Sequence, residues 1–150
     1  MTRLGIVAVI VAGVVTAAHA APQCYRTDEI EADQAVRYQA KLMVLSDSCH
    51  SNSYSQFVHR NAEALSLYQR QLIGFFRRRD PHRPEDAFDK FLTRVANQIA
   101  LAAGEEPLAS LCPKSTDFLT QAVTFDKDEF RRFVAAQAVV ERKSYPTCTE

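Results

Sequence analysis

Four cysteines constrain this chain more than any other feature: Cys24, Cys49, Cys112 and Cys148. None stands in a C-x-x-C or C-x-x-C-H arrangement, so neither a thioredoxin-type redox centre nor covalent haem is supported. An even number reads as two structural disulfides formed in an oxidising compartment. Three pairings are open, and helix geometry removes one of them. The pattern between Cys24 and Cys49 predicts a helix over about residues 28–46. Thr27 is placed to cap it, and Asp28, Glu29, Glu31 and Asp33 put negative charge near the positive end of its dipole. A helix of roughly 19 residues is about 28 Å long, whereas bonded cysteines need Cα atoms within about 7 Å. Cys24–Cys49 is therefore excluded, and Cys112–Cys148 with it. In an antiparallel bundle the first helix rises to Cys49, the second descends, and the third returns to leave Cys112 near the same end. A descending last helix brings Cys148 back to Cys24. The expected pairs are Cys49–Cys112 and Cys24–Cys148.

The N-terminal stretch "MTRLGIVAVIVAGVVTAAHA", residues 1–20, reads as a signal peptide. Arg3 precedes an apolar run from Leu4 to Ala18, and Ala18-His19-Ala20 offers small residues where a signal peptidase cuts. The run is shorter than the about 20 residues of a membrane span. We expect cleavage after Ala20, a periplasmic or secreted protein, and no stable membrane insertion afterwards. Residues 21–150 then form a single helical domain, long enough for its own core. Without Arg3, 17 basic residues face 18 acidic ones. That balance argues against a nucleic-acid partner, which calls for a basic excess.

The remaining pattern predicts helices and no sheet. A second helix starts after Ser53, with Gln56 at capping-box spacing, and ends near Arg79 because Pro81 forbids continuation. Its apolar residues form two adjoining stripes, Phe57, Ala64, Leu65, Tyr68, Leu72 and Phe75 beside Tyr54, Val58, Ala62, Ile73 and Phe76. A stripe that wide predicts a central helix with several neighbours. A third helix runs from Pro84 to just before Gly104, with Phe88, Phe91, Leu92, Val95, Ile99 and Ala102 at seam spacing. Short helical pieces are expected at 107–111 and 116–122. A last helix starts after Asp126, with Glu129 three residues on, and fades by Arg142. The expected fold is an all-α antiparallel bundle of three long helices, a C-terminal helix and short pieces, stapled by two disulfides.

Few residues suggest chemistry. In "FFRRRDPHRPED", residues 75–86, Arg77, Arg78 and Arg79 fall where a helix end favours cations, and Glu85 and Asp86 where a helix start favours anions. We read it first as a helix stop followed by a helix start. The functional alternative is an anion contact made by Arg77, Arg78, Arg79 and Arg83. His59 and Glu63 have the spacing to pair on one helix face, but no further ligands stand at convincing spacing, so no metal and no cofactor are expected. No G-x-S-x-G, H-E-x-x-H or glycine-rich phosphate loop occurs. Gln39, Asn61 and Gln137 each fall on an apolar helix face. They are expected at one height, as a buried polar layer that fixes register or as the polar lining of a ligand cavity.

The segments "CYRTDEIEADQAVRYQAKLMVLSDSC", "RNAEALSLYQRQL", "FDKFLTRVANQIAL" and "SYPTC" together resemble small exported four-cysteine helical proteins of bacteria with no assigned function. The resemblance spans nearly all of the mature chain. It implies the compartment and the helical fold, and nothing about activity. The leading expectation is an exported binding or interaction protein with an envelope protein partner. The runner-up is a small-ligand or lipid carrier that uses a cavity in the bundle, and the third is an enzyme of unknown type.

Overall fold

The computed structural model of the protein describes residues 24–148. The expected signal peptide and its cleavage site lie outside the described residues. Five helices follow in order: α1 Thr27–Ser48, α2 Ser53–Arg77, α3 Pro84–Gly104, α4 Leu108–Thr124 and α5 Lys127–Glu141, with a 3-10 turn at Arg142–Ser144. No strand occurs among the described residues; Tyr25 and Thr147 form one isolated parallel bridge.

Helices α1 and α5 start at capping boxes. Helix α1 begins one residue earlier than expected. Arg26 rather than Thr27 is its cap, and the Arg26 amide donates to Glu29 Oε2 at 2.8 Å. Likewise Asn52, not Ser53, caps α2, and Gln56 Nε2 donates to Asn52 Oδ1 at 2.7 Å. The Tyr54 amide is taken up by Ser46 Oγ across the α1–α2 turn at 3.1 Å. That turn reverses through His50 at φ 51°, a left-handed position in which histidine is over-represented among non-glycine residues. The Asp126–Glu129 box forms as expected. Asp126 Oδ1 accepts from the Asp128 and Glu129 amides at 2.9 and 2.8 Å, and the Asp126 amide donates to Glu129 Oε2 at 3.0 Å.

The two short pieces expected around residues 107–122 are one continuous helix, α4, with Pro113 inside it. Proline lacks the proton that would bond four residues back, and an interior one costs about 3 kcal/mol. Here it stands near the helix start, between buried Leu111 and Ser115 and beside the disulfide at Cys112. The Ser115 hydroxyl donates to the Leu111 carbonyl at 2.8 Å and Thr116 to that of Cys112 at 3.2 Å. Burial and these bonds hold the turn that propensity alone would break.

Helix α2 does touch all four other helices, but α1 does so too. The centre of the fold is thus a pair of helices. Helix α1 is buried on several sides because Ala32, Ala35 and Ala40 let neighbours approach closely. The expected main stripe of α2, from Phe57 to Phe75, is buried throughout, whereas Ala62 of the second stripe is exposed. Phe57 and Phe130 are fully buried, each worth about 2–3 kcal/mol of transfer free energy. They belong to an aromatic cluster in which Tyr38 of α1 meets Phe57, Phe118, Phe125, Phe130 and Phe133 at centroid distances of 4.9 to 6.1 Å.

Both disulfides join the expected partners, Cys24 to Cys148 and Cys49 to Cys112, with Cα separations of 4.8 and 5.5 Å. The terminal pair is reinforced by backbone. The Tyr25 amide donates to the Pro146 carbonyl at 2.7 Å, and the Cys148 amide to the Tyr25 carbonyl at 3.1 Å.

Candidate functional site

The arginine corner divides into separate roles. Pro84 opens α3, and Asp80 Oδ1 accepts from the His82 and Arg83 amides at 3.1 and 3.2 Å, which closes the turn. Arg77 faces Glu85 across the turn at 3.7 Å, and Arg83 faces Asp86 at the same distance; both pairs are exposed. Arg78 turns inward instead. It grips the buried carboxylate of Glu29 with two nitrogens, donates to the Cys24 carbonyl at 3.1 Å and lies 5.5 Å from the Phe75 ring centroid. Arg77, Arg78 and Arg83 therefore each engage a different partner, and Arg79 is exposed. Burial pushes the Glu29 carboxyl up, but bonds from Arg78 and the Arg26 amide outweigh it and hold the group below its ordinary value.

A second buried acid was read from sequence only as a dipole charge. Asp33 is fully buried. Arg37 donates to it through Nε at 2.5 Å and a terminal nitrogen at 3.4 Å, and the Tyr145 hydroxyl donates to it as well. Gln34 Nε2 donates to the Tyr145 hydroxyl at 2.8 Å. Burial, then the adjacent carboxylate, raise the Tyr145 hydroxyl well above the ordinary tyrosine range. This network ties the C-terminal segment to α1 next to the Cys24–Cys148 bridge. The Asp33–Arg37 spacing of four was the available signal, since such pairs share a helix face.

His59 is exposed, and Glu63 finds Lys127 of α5 at 3.0 Å. No group of three or more histidine, cysteine or acidic side chains suited to a metal occurs among the described residues.

The three amides do not form one layer; no hydrogen bond joins any two of them. Gln39 is half-buried and donates to the Tyr54 hydroxyl at 3.4 Å. Asn61 is fully buried at a kink in α2, where its backbone leaves helical angles (φ −111°, ψ 15°). Its Nδ2 donates to the Phe57 carbonyl at 3.0 Å and to the Phe125 carbonyl in the α4–α5 connection at 3.2 Å. The side chain thus bonds back to its own helix one turn earlier and pins α2 to the α4–α5 connection. Gln137 does neither; it lines a groove.

That groove, of about 470 Å³, runs between α3 on one side and α4 and α5 on the other, with α1 as its floor. Its size is in the range of small-molecule sites. Four amides stand along it: Gln34, Gln98, Gln121 and Gln137. Val95 and Ile99 face Phe118, Phe133 and Val134. Arg37 and Lys41 bring positive charge, and no aspartate or glutamate is among the described lining residues. Lys41 Nζ sits 4.8 Å from the Phe118 ring centroid. Tyr38 also lines the groove, and its hydroxyl is buried with no hydrogen-bond partner among the described residues. Burial pushes that hydroxyl up to about 12, so it is a donor at neutral pH. A buried polar group without a partner costs about 1–3 kcal/mol. The sequence offered no sign of this site beyond Gln137, because its walls come from four helices.

No protein-family model, curated protein or solved structure matches this chain.

Proposed function

We propose that the protein is an exported binding protein that carries a small ligand in the groove above α1, with a binding rather than a catalytic role. The groove itself carries this reading: a concave site of about 470 Å³ with an apolar wall and a few placed amides is of the size and make-up that takes a small molecule. The scaffold reads as an antiparallel bundle of α1, α2 and α3, flanked by α4 and α5. Two disulfides and the apolar N-terminal run support a periplasmic or secreted location. On this reading the chain stands with the small exported four-cysteine helical proteins of bacteria that it resembles.

The test is native mass spectrometry on protein taken from the periplasm without denaturation. We expect an added small-molecule mass that disappears in Gln121→Trp, which fills the groove from its exposed α4 wall. A polypeptide-only mass in both proteins removes the carrier reading.

A second reading, docking to an envelope protein partner, draws on Val139 and Val140, adjacent on α5 and 76% and 63% exposed. If it is correct, Val139→Asp with Val140→Asp abolishes co-purification of that partner and leaves the bound small molecule in place.

A further inference from the structure

We infer that the ligand is a free amphipathic monocarboxylate, an acid of about 14–18 heavy atoms in all. This rests on the groove being a binding site and adds the chemistry it selects. The charges on its walls do not balance. Arg37 is already matched, because fully buried Asp33 accepts two of its nitrogens. Lys41 is exposed, no ion pair engages it, and no acid lines the groove among the described residues. One positive charge is thus left at one edge of an otherwise neutral site, which favours one negative charge on the occupant.

The rest of the wall sets the body of the ligand. Val95, Ile99, Phe118, Phe133 and Val134 are apolar and give a hydrocarbon body a wall to lie against. The flanking glutamines can donate to a carboxylate that Lys41 draws in. Size follows from volume. A closed apolar cavity of about 150 Å³ takes benzene, so about 470 Å³ admits roughly three times as many heavy atoms. A saturated acid of about twelve to sixteen carbons has that bulk. A diacid or a phosphate diester headgroup brings more charge or more polar surface than one lysine and a short row of amides can match.

Isothermal titration calorimetry with three probes of equal chain length tests this, at concentrations below micelle formation: dodecanoate, dodecanol and dodecyltrimethylammonium. We expect one-to-one binding of dodecanoate, about fivefold tighter than dodecanol, as suits one partly solvated ion pair, and weakest binding of the cation. Lys41→Gln should erase the difference between acid and alcohol, with unchanged helical circular dichroism. Arg77→Gln, far from the groove, should keep it. Amide chemical shifts should move along the groove walls and not at the α2–α3 corner. Equal affinity for all three probes, or a preference that survives Lys41→Gln, overturns the carboxylate assignment and leaves the groove reading standing. If no probe binds, or Gln121→Trp binds as wild type does, the groove reading itself falls. Tight sedimentation with phosphatidylglycerol vesicles and no response to monomeric dodecanoate points to a lipid surface and overturns the free-acid assignment.

Discussion

Arg78 at the end of α2 holds the carboxylate of Glu29 in the first turn of α1, with the second of its two nitrogens 2.7 Å from Oε2. The pair lies beside the Cys24–Cys148 bridge, since the same guanidinium also donates to the Cys24 carbonyl. One arginine of a basic cluster thereby becomes part of the structure, and its neighbours stay at the surface.

Substitution along the run should separate these roles. Arg78→Ala strands a buried carboxylate and should cost about 2–3 kcal/mol, below the cost of breaking a fully buried pair because the arginine is partly exposed. Arg77→Ala and Arg79→Ala should each change stability by less than about 0.5 kcal/mol. Urea denaturation of the oxidised protein measures all three. Equal losses at the three positions would mean that the cluster acts as a unit.

Acid should weaken the same contact. The folded protein holds Glu29 below its ordinary value of 4.5. Its stabilisation is therefore fully present above pH about 4.5 and is lost as pH falls through the lower folded value. Glu29→Gln never has that contribution. The melting-temperature gap between wild type and Glu29→Gln should be constant from pH 7 to 5 and narrow below pH about 4.5. A gap that widens in acid contradicts the assignment.

The buried hydroxyl and the buried amide should respond in opposite directions. Tyr38→Phe removes an unpartnered group and should stabilise the ligand-free protein by about 1 kcal/mol. Asn61→Leu removes two bonds to carbonyls that stay buried and should cost about 2 kcal/mol or more. Thermal melts of ligand-free protein check both signs. A loss in Tyr38→Phe shows that the hydroxyl is satisfied in solution.

The disulfides close loops of very different length, with sequence separations of 124 and 63. Loop entropy grows only as a logarithm, so double serine variants at either bridge should lose similar stability, about 2–5 kcal/mol. Their hydrogen-exchange patterns should differ. Loss of Cys49–Cys112 should speed exchange around residues 108–114, where Pro113 already weakens α4. Loss of Cys24–Cys148 should leave that turn protected and loosen the ends, which Tyr25 still holds through its backbone bridge and its stacking on Phe75 at 4.1 Å. Fast exchange at 108–114 in both variants would show that the two bridges support one unit.

Most of the fold was legible because helix signals are local. Pro84 at a helix start, the Asp126–Glu129 box and the apolar stripe from Phe57 to Phe75 each depend on residues within a few turns of one another. Where local rules failed, a contact distant in sequence had overridden them. Pro113 should have split α4, but the Cys112 bridge and the burial of Leu111 and Ser115 keep it whole. The layer of Gln39, Asn61 and Gln137 assumed ideal helices at equal height, and the kink at Asn61 directs that amide to the α4–α5 connection instead.

By itself the sequence determined the helical class, the spans of four of the five helices to within a few residues and, through helix length and direction, the disulfide pairing. Periodicity and chain geometry suffice for these. Only the tertiary structure decided that Glu29 and Asp33 are buried, that Arg78 reaches 49 residues back to one of them, and that Tyr38 keeps an unpartnered hydroxyl beside a groove. Those facts depend on which faces of distant helices meet. A carboxylate in the first turn of a helix reads the same from its neighbours whether water or another helix covers it.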